Sequence, residues 1–352
     1  MSLRYLCSGT ATLAFTLVVA CAGGLRLSLN PYEGVDWEKT TQHKANLHTH
    51  TVSSGGMLFL NQVLSEYAKR GYTILAVTEH DRFTRWEKSG VDPMEGFGIL
   101  PVPGQEYSKG HHVNGFFLDD EIALRDTALL VHAISRQGGV AVLNHPGRYW
   151  KMDEDGKVPK ETCEEYVKLL DENPLVLGIE VFNRNEKRLN DKVLWDAILS
   201  VSMPARPVWG FANDDMHEAK QLGYNWDIFL LDELNESSLR HAMVKGHFYF
   251  SARGHDSGNV SDPPVIQRIV HDPVAQTLTV SAAADGAVLD AGQYRWIADG
   301  KPVQEGAVLH YNRVRGIVRY VRLELEGKGG TTYTNPFGFS PAGEVLDTGN
   351  SK

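Results

Sequence analysis

The sequence predicts an α/β protein with a parallel sheet or barrel, followed by a small antiparallel β-sandwich. Short apolar, β-branched stretches alternate with amphipathic helical patterns up to about residue 258, which is typical of βα units. From about residue 263 to residue 340, apolar and polar residues alternate with period two, and no helical pattern intervenes. The length of 352 residues favours one large domain and one smaller domain.

The N-terminal segment is typical of an exported protein. Arg4 precedes an apolar stretch that is too short for a comfortable membrane span, and the stretch ends in VVAC, which resembles the lipobox of bacterial lipoproteins. We therefore interpret residues 1–21 as a signal peptide with lipidation at Cys21, and residues 22–44 as a tether. The body is then expected outside the cytoplasm, in the periplasm, anchored to the membrane by its lipid. An ordinary signal peptide or an uncleaved anchor is the alternative.

The composition argues against a nucleic-acid partner. The formal net charge is -9, and the sequence has no cluster or stripe of Lys and Arg, which a phosphate backbone requires. The predicted body contains one cysteine, Cys163, within the amphipathic stretch KETCEEYVKLL. A lone cysteine cannot form an internal disulfide, and we interpret Cys163 as a packing residue.

The predicted elements follow in chain order. The α/β region covers residues 45–258, and its first strand leads into the sequence NLHTH. A helix over residues 57–71 ends at Gly71, a typical C-terminal stop. Further apolar strands are predicted at residues 72–80, 97–106, 112–120, 139–146, 175–183 and 207–215, with helices at residues 123–139 and 187–200. The β-sandwich, residues 263–340, contains strands at 276–284, 293–303 and 317–327, and residues 341–352 are predicted as a frayed tail.

Side chains that bind metals lie at the predicted strand ends. Because the carboxyl ends of parallel strands meet on one face of the fold, residues far apart in sequence are expected to share one pocket. Histidine and carboxylate ligands without thiolates suit Zn²⁺, Mn²⁺ or Fe²⁺, and a carboxylate can bridge two ions. The candidates are His48, His50, Glu79, His80, Asp81, Glu106, His112, His145, Asp215 and His217.

With these residues the chain resembles the PHP (polymerase and histidinol phosphatase) family of metal-dependent phosphoesterases. The matching motifs occur in family order over residues 46–254: HTH at 48–50, TEH at 78–80, GQE at 104–106, HVN at 112–114, NHP at 144–146 and DMH at 215–217. The resemblance implies a distorted parallel (β/α)7-type barrel and two or three divalent metal ions. It also implies hydrolysis of phosphate esters by metal-activated hydroxide.

The resemblance assigns metal ligands motif by motif. It places the first metal between His48, His50, Glu106 and Asp215, and Glu106 bridges to a second metal held by His112 and His145. His80 and His217 resemble ligands of a third metal, whose usual additional ligand is replaced here by Gly55. The third site is therefore in doubt, with water or Glu79 as substitutes. His111 rivals His112, and Asp214 rivals Asp215.

The leading hypothesis is an exported hydrolase of small organic phosphate esters. Catalytic roles are expected for Glu106, Asp215, His217 and Arg148. Arg148 is included because a guanidinium group suits phosphate oxygens. Arg148, Asn183 and Arg253 lie at predicted strand ends and are candidates for substrate binding, whereas Glu180 is expected in the pocket wall. A hydrolase of another ester or amide bond, or a non-catalytic surface binding lipoprotein, are the alternatives.

Overall fold

The computed structural model describes residues 24–124, 126–184, 189–253 and 261–343. The predicted signal peptide, residues 1–21, and its lipidation site Cys21 lie outside these residues. Among the helices of the described ranges, none combines the length and the hydrophobicity of a membrane span.

Helices and strands alternate in the first two thirds of the described chain, and strands dominate the last third. The helices are Leu60–Ala68 (α1), Pro93–Phe97 (α2), Thr127–Arg136 (α3), Lys160–Glu172 (α4), Asn190–Ser202 (α5) and Glu236–Lys245 (α6). The strands up to the last of these helices are Leu25–Leu29 (β1), Thr41–Asn46 (β2), Tyr72–Ala76 (β3), Leu100–Val102 (β4), Gly104–Tyr107 (β5), Val113–Phe116 (β6), Val140–Leu143 (β7), Val176–Asn183 (β8), Trp209–Asn213 (β9) and Asn225–Leu231 (β10). The strands after it are Phe248–Arg253 (β11), Val265–Asp272 (β12), Thr277–Ala284 (β13), Ala287–Val288 (β14), Tyr294–Ala298 (β15), Lys301–Glu305 (β16), Val308–His310 (β17), Tyr320–Gly327 (β18), Gly330–Thr334 (β19) and Phe337–Pro341 (β20).

Two sheets carry the α/β region. In the first, β11, β10, β2, β3 and β4 lie side by side, with β2, β3 and β4 parallel and β10 antiparallel to both of its neighbours. In the second, β5 to β9 follow one another, with β7, β8 and β9 parallel. The predicted α/β class is confirmed, but β5 and β6 are antiparallel. Only residues 108–112 connect them, and a parallel pair needs a much longer crossover.

The predicted tether is part of the folded body. β1 pairs antiparallel with β20, so that Leu25 lies opposite Pro341, and β2 lies between β10 and β3. The tether prediction is therefore wrong for these two stretches. The reason is that LRLSL alternates leucines with polar residues, and Leu25 and Leu27 pack against the core of the C-terminal strands.

The C-terminal strands form the predicted sandwich, but its larger sheet continues into the α/β region. β12, β13, β14 and β17 form one sheet, and their core side chains pack against those of β15, β18 and β20. β19 pairs with both β18 and β11, which joins the two regions through backbone hydrogen bonds. Alternation in β18 places Leu323 in the sandwich core, while Arg322 on its other face is also buried.

Helix α1 packs as its pattern predicts and supports the pocket. Val63, Leu64 and Tyr67 form its buried face. They share a core with Met216, which lies between two of the candidate ligands. Cys163 lies half-buried on α4, and burial raises the pKa of its thiol, as expected for a packing residue rather than a nucleophile.

Candidate metal centre

The structure brings all eight predicted metal ligands together. They lie just after β2, β3, β7 and β9, within β5, and just before β6. Two isolated bridges tie these strand ends together: Thr49 pairs with Met216, and His80 pairs with Glu106. We call this set the histidine–carboxylate cluster; its members are His48, His50, His80, Glu106, His112, His145, Asp215 and His217.

Glu106 occupies the centre of the cluster and is fully buried. Histidine nitrogens surround its two carboxylate oxygens: His48 Nε2 at 3.1 Å, His112 Nδ1 at 2.9 Å and His145 Nε2 at 3.4 Å from Oε1, and His50 Nε2 at 3.4 Å and His80 Nδ1 at 2.7 Å from Oε2. A carboxylate whose two oxygens each face several histidine nitrogens can share two cations with those histidines. The bridging role that the resemblance assigns to Glu106 fits this geometry.

The cluster offers overlapping sets of ligand atoms. Each set brings three candidate atoms within 4.8 Å of one another: His48, His50 and Glu106; His48, His145 and Asp215; His80, Glu106 and His112; and His50, His80 and His217. His80 thus lies with Glu106 and His112 as well as with His217, so it stands closer to the second predicted site than the motif assignment implies.

Several buried atoms of the cluster lie close to one another but are not aligned for hydrogen bonds, so they have no hydrogen-bond partner. They include His48 Nε2, His50 Nε2, Glu106 Oε2 and Asp215 Oδ1. A buried polar atom without a partner costs about 1–3 kcal/mol, so such atoms are few in folded proteins and call for an explanation. Here they converge on common points, as ligands of a divalent cation do. The donor set fits Zn²⁺, Mn²⁺ or Fe²⁺.

Glu180 supports the cluster through hydrogen bonds to His48 and His145. Its Oε1 accepts from His48 Nδ1 at 2.9 Å and from the Asn213 amide at 3.1 Å, and its Oε2 accepts from the backbone N–H of His145 at 3.0 Å. With both oxygens occupied, Glu180 is no ligand itself. A proton held on His48 Nδ1 leaves Nε2 free to face a cation, which is the usual role of a carboxylate behind a metal-binding histidine.

Burial and charged neighbours shift the pKa values of the ionisable groups in the cluster. Burial alone would lower the pKa of His48, but the carboxylates of Glu106 and Asp215 raise it well above its usual value. Burial alone would raise the pKa of Glu106, but His48 and its neighbours hold it well below the usual range. Burial lowers the pKa of His50 to about 4, so its imidazole is neutral at pH 7 and able to bind a cation.

Two ligand residues hold a strained backbone. His145 and Asp215 have φ angles of 31° and 44°, the left-handed region that non-glycine residues rarely adopt. Each is the second residue after a strand, β7 or β9, where the chain must turn to aim a side chain into the pocket. Such conformations concentrate at functional sites, where the surrounding fold holds them in place.

The structure separates the rival ligands. Asp214 accepts from the backbone N–H groups of Gly223, Tyr224 and Asn225, so it orders a loop behind the cluster. Asp215 is the residue that faces the histidines, at 3.1 Å from His50 Nε2.

His111 is likewise turned away from the cluster. Its Nδ1 contacts Tyr166 Oη at 3.2 Å, and its ring stacks on Tyr149. His112 is the residue that faces Glu106. Asp215 and His112 are thus the members of the two rival pairs that face the cluster, and their role as metal ligands stays a prediction.

The third predicted site is open on one side. His217 Nε2 lies 3.3 Å from His80 Nε2. A Cβ built on Gly55 would lie 3.7 Å from His217 Cδ2, so Gly55 does occupy the position beside the third site. Its φ of 106° is accessible to glycine only. Glu79 cannot substitute, because its carboxylate accepts from Thr51 N–H at 3.1 Å and from the Ser54 hydroxyl.

Two arginines flank Asp215. Arg148, which the sequence predicts, donates to Asn183 Oδ1 at 2.8 Å and lies 3.5 Å from Asp215 Oδ2. Arg184, which sequence reasoning missed, lies 2.9 Å from the same oxygen and 3.0 Å from His217 Nδ1. Its position directly after Asn183, at the end of β8, was the available signal.

Arg253 lies elsewhere. It donates to Ser261 O at 2.6 Å and to Asp262 Oδ1 at 2.5 Å. No contact with the histidine–carboxylate cluster is found for it among the described residues. The prediction that it binds substrate beside the metals is therefore corrected: β10 separates β11 from β2, and the Arg253 guanidinium also donates to Gly223 O on that side.

No protein-family model and no curated protein matches this chain. Among solved structures, a two-domain protein from Bacteroides vulgatus, described as containing a predicted PHP-like metal-dependent phosphoesterase, is 17% identical. The match covers 86% of this chain and 96% of that one, with a TM-score of 0.50.

A weaker likeness is found to an amidohydrolase from Chromobacterium violaceum, with 17% identity over 49% of this chain and 87% of that one and a TM-score of 0.38. A lesion-specific endonuclease from Pyrococcus furiosus is 13% identical over 65% of this chain and 63% of that one, with a TM-score of 0.44. At 17% identity, likeness to the Bacteroides protein establishes the fold. The chain therefore has the PHP-like fold that its motifs predict.

Proposed function

We propose that the protein is a metal-dependent phosphoesterase that hydrolyses small organic phosphate esters. The observation that carries this proposal is the convergence of partnerless buried ligand atoms around Glu106, beside two guanidinium groups. Cation ligands favour a Lewis-acid reaction, and guanidinium groups favour a substrate with phosphoryl oxygens. A purely structural cluster would have satisfied its own hydrogen bonds.

Some residues of the cluster would bind metal ions, and others would orient the substrate. His48, His50, Glu106, His112, His145 and Asp215 would hold two divalent cations, with Glu106 shared between them. Bound there, such cations neutralise phosphoryl oxygens and lower the pKa of a water molecule enough to supply a nucleophile near pH 7.

Other residues act on the substrate and the leaving alcohol. The Arg148 guanidinium, held by Asn183, can donate to a phosphoryl oxygen. His217 is partly exposed at the open side of the cluster, so its imidazole can pass a proton to the departing alcohol oxygen. A third cation, bound by His50, His80 and His217, would have to complete its shell with water because Gly55 supplies no ligand.

We also propose that the protein acts outside the cytoplasm, in the periplasm, anchored through a lipid on Cys21. This rests on the sequence of residues 1–21 alone. The net charge of -9 supports small esters rather than nucleic acids as substrates.

The test is metal content by elemental analysis of the soluble body from about Leu25, with hydrolysis of p-nitrophenyl phosphate and bis(p-nitrophenyl) phosphate after addition of Mn²⁺ or Zn²⁺. We expect at least two metal ions per chain and turnover of one ester, and the preferred ester separates monoesterase from diesterase activity. Bound metal without turnover of either ester would favour a hydrolase of another bond. A protein that binds no metal and shows no activity would favour the surface binding lipoprotein.

A further inference from the structure

An uncharged loop with exposed apolar side chains borders the cluster. We call residues 51–59 the apolar loop; it connects the first cluster histidines to α1. Val52, Met57 and Phe59 in this loop expose 45%, 69% and 62% of their surfaces. Residues 51–65 contain no charged side chain. Adjacent exposed apolar side chains of this size mark a binding surface more often than chance exposure does.

Hydrogen bonds hold the apolar loop against the cluster. The backbone N–H of Met57 donates to the carbonyl oxygen of His217 at 2.7 Å. The hydroxyl of Ser54 accepts from the backbone N–H of His80 at 3.0 Å. Gly55 lies against the His217 ring. The loop is therefore a fixed wall of the pocket.

The apolar loop also closes on itself. The N–H of Val52 donates to Leu58 O at 3.0 Å, and the N–H of Gly56 donates to Thr51 O at 2.8 Å. Val52 is thus brought beside the segment that carries Met57 and Phe59. The three exposed side chains therefore lie on one short, closed loop whose backbone is bonded to His217.

The cluster consequently has two flanks of different chemistry. Arg148 and Arg184 supply cationic groups on Asp215, and their side chains are 23% and 27% exposed. The apolar loop supplies a hydrophobic surface without charge. A substrate that contacts both flanks must join an anionic group to an apolar one.

We infer that the apolar loop binds the alcohol part of the substrate, so that the protein prefers phosphate esters of apolar or aromatic alcohols. This inference rests on the proposed function. In the reaction, water forms a new P–O bond, the ester P–O bond breaks, and the alcohol leaves with a proton from the water. The guanidinium flank receives the phosphoryl group, and the apolar loop removes the alcohol chain from water.

The test compares n-hexyl phosphate with ethyl phosphate, because these esters share a primary alcohol leaving group and differ only in four methylenes. With the metal-loaded full chain, we expect kcat/KM for the hexyl ester to exceed that for the ethyl ester about tenfold, since partial burial of four methylenes accounts for this ratio. The variant Met57→Ser/Phe59→Ser should lower this ratio about fivefold, because the hexyl chain loses the surface that removes it from water. The control is Val274→Ser, which changes an apolar residue that is 92% exposed in the sandwich.

Binding provides a readout that does not depend on turnover. Calorimetric titration with hexylphosphonate and ethylphosphonate should show the same preference in wild type and its loss in the double variant. A hexyl-to-ethyl ratio near one, or a ratio that the double variant leaves unchanged, would overturn the inference while hydrolysis of both esters upheld the proposed function. If neither ester is hydrolysed by the metal-loaded chain, the proposed function fails, and the inference fails with it.

Discussion

Two of the clusters of buried charge in the described ranges differ in how their polar atoms are satisfied. The histidine–carboxylate cluster leaves several buried nitrogens and oxygens without partners. The second, which we call the Arg322 cluster, joins α5 to β18; its members are Lys192, Asp196, Tyr320, Arg322 and Glu324.

Every charged group of the Arg322 cluster is matched by another. Arg322 binds Asp196 through two parallel bonds of 2.7 Å and Glu324 through a third of 2.7 Å. Lys192 donates to Glu324 at 3.1 Å, and Tyr320 donates to Asp196 at 2.8 Å. Its charged side chains contribute no atom to the partnerless buried atoms found in the described residues.

The difference separates a structural cluster from a functional one. Burial and charge are common to both, so neither property identifies the active site. The charged groups of the Arg322 cluster satisfy one another by hydrogen bonds, which indicates that this cluster holds the two regions together. Unsatisfied, convergent atoms indicate that the histidine–carboxylate cluster is completed by something that is not part of the chain. Mutations should therefore affect function in one cluster and stability in the other.

The largest effect is expected for Glu106→Gln. Loss of the shared carboxylate charge should lower kcat/KM for a phosphate ester about 10³-fold, because several kcal/mol of charge stabilisation depend on it. Hydrolysis and metal content are measured together, with circular dichroism to verify folding. Glu324→Gln is the matched control, a buried carboxylate in the other cluster that should retain activity. Unchanged turnover in Glu106→Gln would break the functional side of the comparison.

Arg322→Met should act on stability instead. Removal of the guanidinium leaves Asp196 and Glu324 buried without their partner, so the free energy of unfolding should fall by about 3–5 kcal/mol. Urea denaturation measures this change. The control Arg268→Met removes an exposed arginine whose contact with Glu38 is 3.7 Å long, and it should change stability by less than about 1 kcal/mol. Equal effects of the two substitutions would contradict a structural role for the Arg322 cluster.

Glu180→Gln sharpens the comparison, because Glu180 is a satisfied residue that serves the unsatisfied cluster. The amide can no longer hold both the His48 proton and the His145 backbone, so metal affinity should fall about 10- to 100-fold. Competition with a chromophoric chelator measures the affinity. If affinity is unchanged while the melting temperature drops, Glu180 belongs with the structural residues.

The smallest effect concerns acid stability. Burial alone would raise the pKa of Glu324, but Arg322 and Lys192 hold it below its usual value. A carboxyl group with a lowered folded-state pKa stabilises the protein above its unfolded pKa, near 4.5, and loses this contribution as pH falls through the folded-state value.

Wild type should therefore lose stability from this group on acidification, and Glu324→Gln should lose less. Urea midpoints at pH 7 and at pH 3.5 measure the difference. Parallel losses in both proteins would show that Glu324 is not the titrating group.

Sequence reasoning located most of the candidate site. Motifs at strand ends were sufficient for all eight members of the histidine–carboxylate cluster, because parallel strands present their carboxyl ends on a common face. Glu180 was correctly expected as a supporting residue. Arg184 was missed because its one signal, the position at the end of a strand, belongs to no motif.

Long-range pairing accounts for what the sequence did not predict. The five residues LRLSL read as part of a tether, since Pro31 and Gly34 follow and no neighbouring strand is adjacent in sequence. Their partner, β20, lies more than 300 residues away. Arg253 was expected in the pocket because it ends a strand, but its contacts with Ser261 and Asp262 depend on where a later segment of the chain lies, which its own residues do not show.

The sequence by itself determined the periodicities and the identity of the metal-binding side chains. These follow from local geometry and from the chemistry of each residue. The tertiary structure alone decided which buried charges are satisfied and which are left open toward one another. Satisfaction depends on distances between residues such as Arg322 and Asp196, 126 positions apart, and such distances are set by packing of the whole fold rather than by any local pattern.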